Sequence, residues 1–493
     1  MAVLCAALLA GCAVAPRQDD AAGAQAQCRE VFRRVDLAVA EAGVGDGMAA
    51  RVAGFPYLRV SRFLASYAGE EMNDAQFAEW MSRLIELGRQ GHEIELSNLP
   101  AAESEALGRA LREVDPRYAP AAPALADCAA NLAAADYTDR NRRLALREAA
   151  RVPDDYVTWR RAAGLYWLTR IPFSSGVSRW QREVMEEFSR PPAALPVAGE
   201  LKTYAPPPGP TRMAAGSVGV LLQRAAANAL GIPDPRGDDL DALFRIYAPE
   251  FVVDTAGDAD LPGELGWLEG PAPRIVSRLP VVYRRVSHTR YQGSALLQLN
   301  YTLWFPERPG SAGSSLLAGH LDGVLWRVTL APDGTPWVFD TIHACGCYHM
   351  FFPTARAAVR PQPVSLDETV FAPQWLPRLE AGGRVALRLA SGTHYVQRVV
   401  VQGAAAPAAE EYVFAQDDVL RSLPLPRSGR RSLFGPDGIV PGTGRAERYL
   451  FWPMGIADSG AMRQWGRHAT AFVGRRHFDD PDLLERYFEL REP

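Results

Sequence analysis

Gly319-His320-Leu321-Asp322-Gly323-Val324-Leu325-Trp326-Arg327-Val328-Thr329-Leu330, then Ala331-Pro332-Asp333-Gly334, then Thr335-Pro336-Trp337-Val338-Phe339-Asp340-Thr341-Ile342-His343, is the stretch on which the fold class turns. Its arms are rich in aromatic and β-branched residues, and the Pro-Asp-Gly between them is a turn signal. The pattern predicts a β-hairpin with a four-residue loop. Setting Leu330 opposite Thr335 puts Val328 across from Trp337, Trp326 from Phe339, and Val324 from Thr341. Apolar side chains then share one face, as period-two patterning requires. Carried outward, the same register sets Asp322 opposite His343 and His320 opposite Cys345, with Cys347 and His349 on the same parity if the strand continues. Directly opposed side chains have Cβ atoms about 4.5–5.5 Å apart, so these donors would converge.

Outward from the hairpin the strand pattern persists. Val281, Tyr283 and the alternation through Tyr291 predict one strand; Leu297, Leu299, Tyr301, Leu303 and Phe305 predict another. Residues 384–401 predict a strand pair around Ser391-Gly392, and a final short helix is expected where Asp480-Pro481 precedes Leu483, Leu484, Tyr487 and Phe488. Before residue 205 the period changes to that of helices. Asn73 is a good N-cap, Phe77, Trp80, Met81 and Leu84 form one stripe, and Gly88 and Gly91 read as its stop. Leu165 to Ile171, closed by Pro172, reads as a helix ending in a loop, and another helix is expected from Ser217 to Leu230. Ala205-Pro206-Pro207-Pro208-Gly209-Pro210 reads as a stiff linker.

The expected fold class is therefore α+β. A signal peptide occupies 1–11 and a lipidated tether 12–27. A helical domain spans 28–204, a Pro-rich linker 205–215, and a mainly β domain, sandwich or barrel-like with long loops and a C-terminal helix, 216–493. The 493 residues, 48% hydrophobic and 22% charged with net charge −4, supply a sizeable core and exclude wholesale disorder. No basic patch or stripe marks a nucleic-acid binder.

Residues 2–11 are apolar but too few to span a bilayer, which takes about 20. They fit the apolar region of a secretory signal. Leu9-Ala10-Gly11-Cys12 resembles the lipobox of bacterial lipoproteins. The resemblance implies cleavage before Cys12, acylation of Cys12 and attachment to a membrane through the lipid. Ala13, rather than Asp, implies the outer membrane, with the body facing the periplasm. Of six cysteines, Cys28 and Cys128 flank the first helical region and are expected to pair in that oxidising compartment. Cys345-Gly346-Cys347 could hold only a strained bridge, so these two read as thiols, a labile disulfide or metal ligands.

His320, Asp322, His343, Cys345 and His349 form the candidate metal set. Imidazole, carboxylate and thiolate together suit zinc, iron or copper. His394 is an alternative distant ligand, His288 an additional one, and His468 and His477 could complete a site from afar. Asp254, Asp258 and Asp260 read as a solvated acidic turn. Gly319-His320-Leu321-Asp322 also resembles the Gly-His-x-x-Asp-Trp-Glu segment of necrosis-inducing toxins, which implies a β-sandwich with a divalent cation. The spacing is one residue shorter and Gly323-Val324 replaces Trp-Glu, so the toxin activity is not carried over. Serine-hydrolase elbow, P-loop, zincin and c-type haem motifs are absent, and no catalytic residue is named by sequence. Two functions remain: a metalloenzyme of hydrolytic or oxidative type, or a non-catalytic envelope module binding a protein or glycan.

Overall fold

The computed structural model describes residues 18–208, 216–310, 316–377, 379, 383–402 and 409–491, with side chains from Ala22 onward. The lipobox and Cys12 lie outside the described residues. The fold is α+β, helices first and a mainly sheet region after.

The first region is held by an apolar cluster drawn from helices Gln18–Ala42, Asp74–Asn98, Ala101–Val114 and Ala121–Thr138 and from strand Phe55–Val60. The first helix begins inside the stretch read as tether. Cys28 and Cys128 are joined as a disulfide with an S–S distance of 2.20 Å, tying the first helix to the fourth of these. Asn73 caps its helix through a reciprocal capping box with Gln76. That helix runs on to Asn98 instead of stopping at Gly88 and Gly91. The reason is packing: a Cβ on Gly88 would sit 2.1 Å from the Tyr57 carbonyl oxygen, and one on Gly91 would lie 2.4 Å from the Arg59 guanidinium. The two glycines are a contact surface for the 55–60 strand. Pro172 likewise does not end its helix, which spans Tyr166–Ser189. Phe173 against Phe451, and Trp180 against Tyr348 and Phe371, hold the helix through the proline.

The sheet region has two main sheets. The six-stranded one runs in the order Met350–Pro353, Pro336–His343, Gly319–Leu330, Ser294–Arg308, Val281–Tyr291, Val413–Gln416. Only its last pair is parallel. The five-stranded sheet runs Val396–Gln402, Arg384–Leu389, Glu250–Thr255, Glu200–Ala205, Glu410–Glu411. Glu200–Ala205 thus joins this sheet from before the Pro-rich stretch, where residues 209–215 are not described. The expected alternation holds: Leu297, Leu299, Tyr301, Leu303 and Phe305 meet Val324, Trp326, Val328 and Phe339 in one core that also takes Phe251, Val253, Leu387 and Val399 from the second sheet. The final helix is one short turn, Leu483–Tyr487, and Phe488–Leu490 pairs with Ala357–Val359.

The hairpin register differs from the expectation by two residues. Phe339 pairs with Val328, Thr341 with Trp326 and His343 with Val324, because an irregularity at Pro336–Val338 absorbs the slide. A shift of two keeps every side chain on its face; a shift of one would not. The strand ends at His343, where Gly346 in a left-handed conformation (φ 89°) turns the chain back. Cys347 and His349 therefore leave the parity that an extended strand would have given them.

The chain beyond residue 417 returns to the helical region. Arg421 pairs with Asp46 at 2.7 Å, Arg62 approaches Asp479 at 3.4 Å, and an Arg62 N–H donates to the Gly466 carbonyl. His288 donates Nε2–H to the Pro233 carbonyl and stacks on Phe63, and His477 sits among Asp154, Asp155 and Asp480. These histidines join the two regions.

Candidate functional site

Asp322 lies at one end of the six-stranded sheet with its carboxylate wholly buried, opposite Phe305 of the neighbouring strand. Its two oxygens are divided between two imidazoles. His343 Nδ1 lies 3.3 Å from Oδ1, and His394 Nδ1 lies 3.0 Å from Oδ2. His343 reaches it as a diagonal cross-strand neighbour, which is why the two-residue slide preserves the contact. His394 comes from the turn of the 384–402 hairpin, in the other sheet. The site is thus built where the two sheets meet.

Arg445 approaches the same carboxylate at 3.4 Å and also donates to the Leu321 carbonyl. On its far side His394 Nε2 faces Asp260 at 3.4 Å. Its ring lies flat on Phe305, with centroids 3.9 Å apart and planes 4° from parallel. Asp260 is anchored by the Ala256 and Gly257 N–H groups, the Ser391 hydroxyl and the Gly392 N–H. The acidic turn read as solvated therefore places Asp260 inside the protein, 2% exposed, as the second carboxylate of a relay.

Charges order this chain. Burial alone would raise the Asp322 carboxyl, but His343 and Arg445 hold it well below the ordinary range. Burial alone would lower His394, but Asp260 and Asp322 on either side of its ring raise it, which favours the protonated form. His343 is lowered by burial, opposed by Asp322, which favours the neutral imidazole. With Nδ1–H donated to Asp322, its Nε2 is the acceptor.

The His343 ring meets Tyr348 and Tyr395 edge-on, with centroids 5.1 and 5.5 Å away. An Arg308 N–H donates to the Tyr395 hydroxyl at 2.7 Å. Both tyrosines line a cavity of about 740 Å³ walled by Trp180, Phe371, Phe451 and Phe472, with Glu368, Glu447 and Arg476 as its main charged groups. Burial raises Glu447, opposed by the charges of Arg445 and Arg308. Three non-glycine residues of this network take left-handed backbone: Leu321 (φ 54°), Tyr348 (φ 61°) and His394 (φ 53°). Such conformations persist where surrounding structure over-determines them, and they gather at functional sites.

The expected donors are dispersed in part. Asp322 and His343 meet. His320 turns to the Pro273 carbonyl, because Leu321 in left-handed conformation interrupts the pleat between it and Asp322. His349 donates Nε2–H to Asp340, itself paired with Arg327, and its Nδ1 is buried without a hydrogen-bond partner. Burial lowers His349 to about 4. Cys345 and Cys347 are buried and unbridged, and Cys347 keeps its proton because its hydrogen bond to Cys345 and burial both raise it. His468 is buried and lowered to about 3. Among the described residues no three His, Cys, Asp or Glu side chains are grouped as a metal ion would need.

Sequence reading missed Arg308, Arg445, Glu447 and the tyrosine pair. They come from distant segments and carry no spacing signal. Tyr348 and His394 each followed a turn-forming glycine, which was the one local clue. Comparison with protein-family profiles, curated proteins and solved structures returned no match.

Proposed function

We propose that this chain is a lipid-anchored cell-envelope protein whose sheet region binds a small, largely apolar ligand and exchanges a proton with it. The observation that carries the site is the Asp322 carboxylate, shared between His343 and His394 directly behind the tyrosine floor of an aromatic cavity. Apolar walls with a few converging polar groups of shifted acidity are the usual make-up of a ligand site. In this reading Asp322 fixes the His343 tautomer, Arg445 and His394 hold Asp322 ionised, Asp260 steadies His394 from its other side, and His343 Nε2 takes or returns the proton beside Tyr348 and Tyr395. The envelope location is supported by Leu9-Ala10-Gly11-Cys12 and by the Cys28–Cys128 bridge, a bond favoured in oxidising compartments.

Metal loading is the second reading, favoured by two imidazoles converging on one carboxylate. Its ligands would be Asp322, His343 and His394, a donor set suited to zinc, iron or copper by chemistry alone, since both imidazoles would have to give up their Nδ1 contacts with Asp322 and reorient to reach metal spacing.

The test is binding of 2-naphthol, an apolar fluorophore whose hydroxyl can give up a proton, to wild type, Tyr395→Ala and His343→Gln, with elemental analysis alongside. Binding lost in Tyr395→Ala, with proton exchange on binding lost in His343→Gln, supports the acid–base reading. Near-stoichiometric metal, lost in His343→Gln, moves the conclusion to the metal reading. Neither binding nor metal overturns both and leaves a non-catalytic module that recognises a protein or glycan.

A further inference from the structure

From Thr158 to Arg182 the chain carries five arginines, Arg160, Arg161, Arg170, Arg179 and Arg182, and no Asp or Glu. The same segment exposes its large apolar side chains: Trp159 62%, Leu165 50%, Trp167 70%, Leu168 48% and Ile171 52%. These residues form an elbow. The short helix Thr158–Ala163 ends at Gly164, Leu165 takes a left-handed conformation, and the next helix starts at Tyr166. The elbow is pressed onto the body: a Cβ on Gly164 would lie 2.7 Å from Pro453, and Trp159 packs on Trp452 at 5.7 Å. Its outward apolar face is therefore set by packing on its inner side. Tyr449 (73% exposed) and Leu450 (52%) extend the patch across the 447–454 segment.

An exposed contiguous apolar surface of this kind marks an interaction site. Its composition selects the occupant. Tryptophans beside leucine and isoleucine, with arginines on the same segment, match the bilayer interface, where indoles sit at headgroup level and guanidinium groups meet phosphates. Arg161 is buried and donates to the Met454 and Gly474 carbonyls, and Arg170 faces Asp367, so Arg160, Arg179 and Arg182 are the cations this segment offers to phosphate. Asp154 and Asp367, beside the elbow, face Arg475 and Arg170. We infer that the 158–171 elbow with Tyr449 and Leu450 is a docking surface for an anionic phospholipid bilayer. Pro172, Phe173, Leu450 and Phe451 carry the patch into the wall of the 740 Å³ cavity, so docking sets the cavity's rim against the membrane. The surface stands whether or not the cavity is a ligand site.

The test uses the full chain carrying Cys12→Ser, so that no acyl group contributes. Co-sedimentation is measured with phosphatidylcholine vesicles and with phosphatidylcholine–phosphatidylglycerol vesicles. The comparison variant is Trp167→Ser/Leu168→Ser/Ile171→Ser, whose side chains are exposed and whose fold is checked by circular dichroism. The expected result is binding that requires phosphatidylglycerol, falls with salt, shifts tryptophan emission to the blue, and drops by at least about tenfold in the triple variant. Equal binding of the variant, indifference to phosphatidylglycerol, or no binding overturns the inference. So does a concentration-dependent dimer without vesicles that the triple variant abolishes, which would make a second copy of the chain the occupant.

Discussion

Replacing Asp322 with alanine should be among the most damaging single changes in the sheet region. The carboxylate is 0% exposed and faces His343, His394 and Arg445. His394 keeps Asp260 as a partner, so the loss falls chiefly on Arg445, whose side chain is 1% exposed. Removing one member of a buried ionic pair costs about 3–5 kcal/mol, because the other charge stays buried and uncompensated. At about 1.4 kcal/mol per tenfold, the folding equilibrium shifts by roughly two to four powers of ten. The assay is urea unfolding followed by near-ultraviolet circular dichroism, which reports Trp304 and Trp326 on the two faces of the sheet. The control is Asp322→Leu/Arg445→Met, which removes both charges. If uncompensated charge is the cause, the double variant is more stable than Asp322→Ala, with a coupling energy of about 2 kcal/mol. A loss below about 1 kcal/mol for Asp322→Ala, or a double variant no more stable than the single, refutes the argument.

Other outcomes follow from separate parts of the molecule. The Cys28–Cys128 bridge closes a separation of 100 residues, so Cys28→Ala/Cys128→Ala should lose up to about 4.7 kcal/mol on the chain-entropy account; an unchanged denaturation midpoint on adding dithiothreitol would contradict it. His394 is raised above its unfolded value, so the stability it contributes is complete below about pH 6.5 and lost as pH rises through its folded value. The gap in unfolding free energy between wild type and His394→Gln should therefore narrow from pH 6 to 9, and a widening gap would reverse the assignment. Imidazole NMR should show His394 titrating above the ordinary histidine value, while His92, His288 and His468, lowered by burial to about 3, 4 and 3, stay neutral at pH 5.5. Gly88→Ala should destabilise the helical region, since its Cβ meets the Tyr57 carbonyl at 2.1 Å, whereas Gly108→Ala, with nothing nearer than 3.9 Å, should stabilise by about 0.5–1 kcal/mol; thermal melts of the pair decide it.

Several features could be read without coordinates because their causes are local. Period-two alternation placed the 281–291, 294–308 and 319–330 strands, and the Asn73 cap placed the start of its helix, since each depends on residues within a few positions. Parity alone put Asp322 and His343 on one face, and it survived a register error because sliding by two returns each side chain to its side. Where the reading failed, distant packing overrode a local signal. Gly88 and Gly91 look like a helix stop but serve as a close contact for a strand; Pro172 looks like a helix end but lies in a helix held by Phe451 and Phe371.

The sequence by itself determined the α+β order of elements, the pairing of Cys28 with Cys128 and the face shared by Asp322 and His343. Only the tertiary structure decided what surrounds that face. One left-handed residue, Leu321, turned His320 away, and the turn of the second sheet delivered His394 and, through Ser391 and Gly392, fixed Asp260 beside it. Arg445, Arg308 and the Tyr348–Tyr395 pair arrived from segments with no shared period. The physical reason is the range of the forces involved. Patterning and capping act over a few residues. A buried carboxylate takes its partners from whichever chain segments the two sheets and the returning C-terminal chain bring within about 4 Å, and nothing along the sequence encodes that distance.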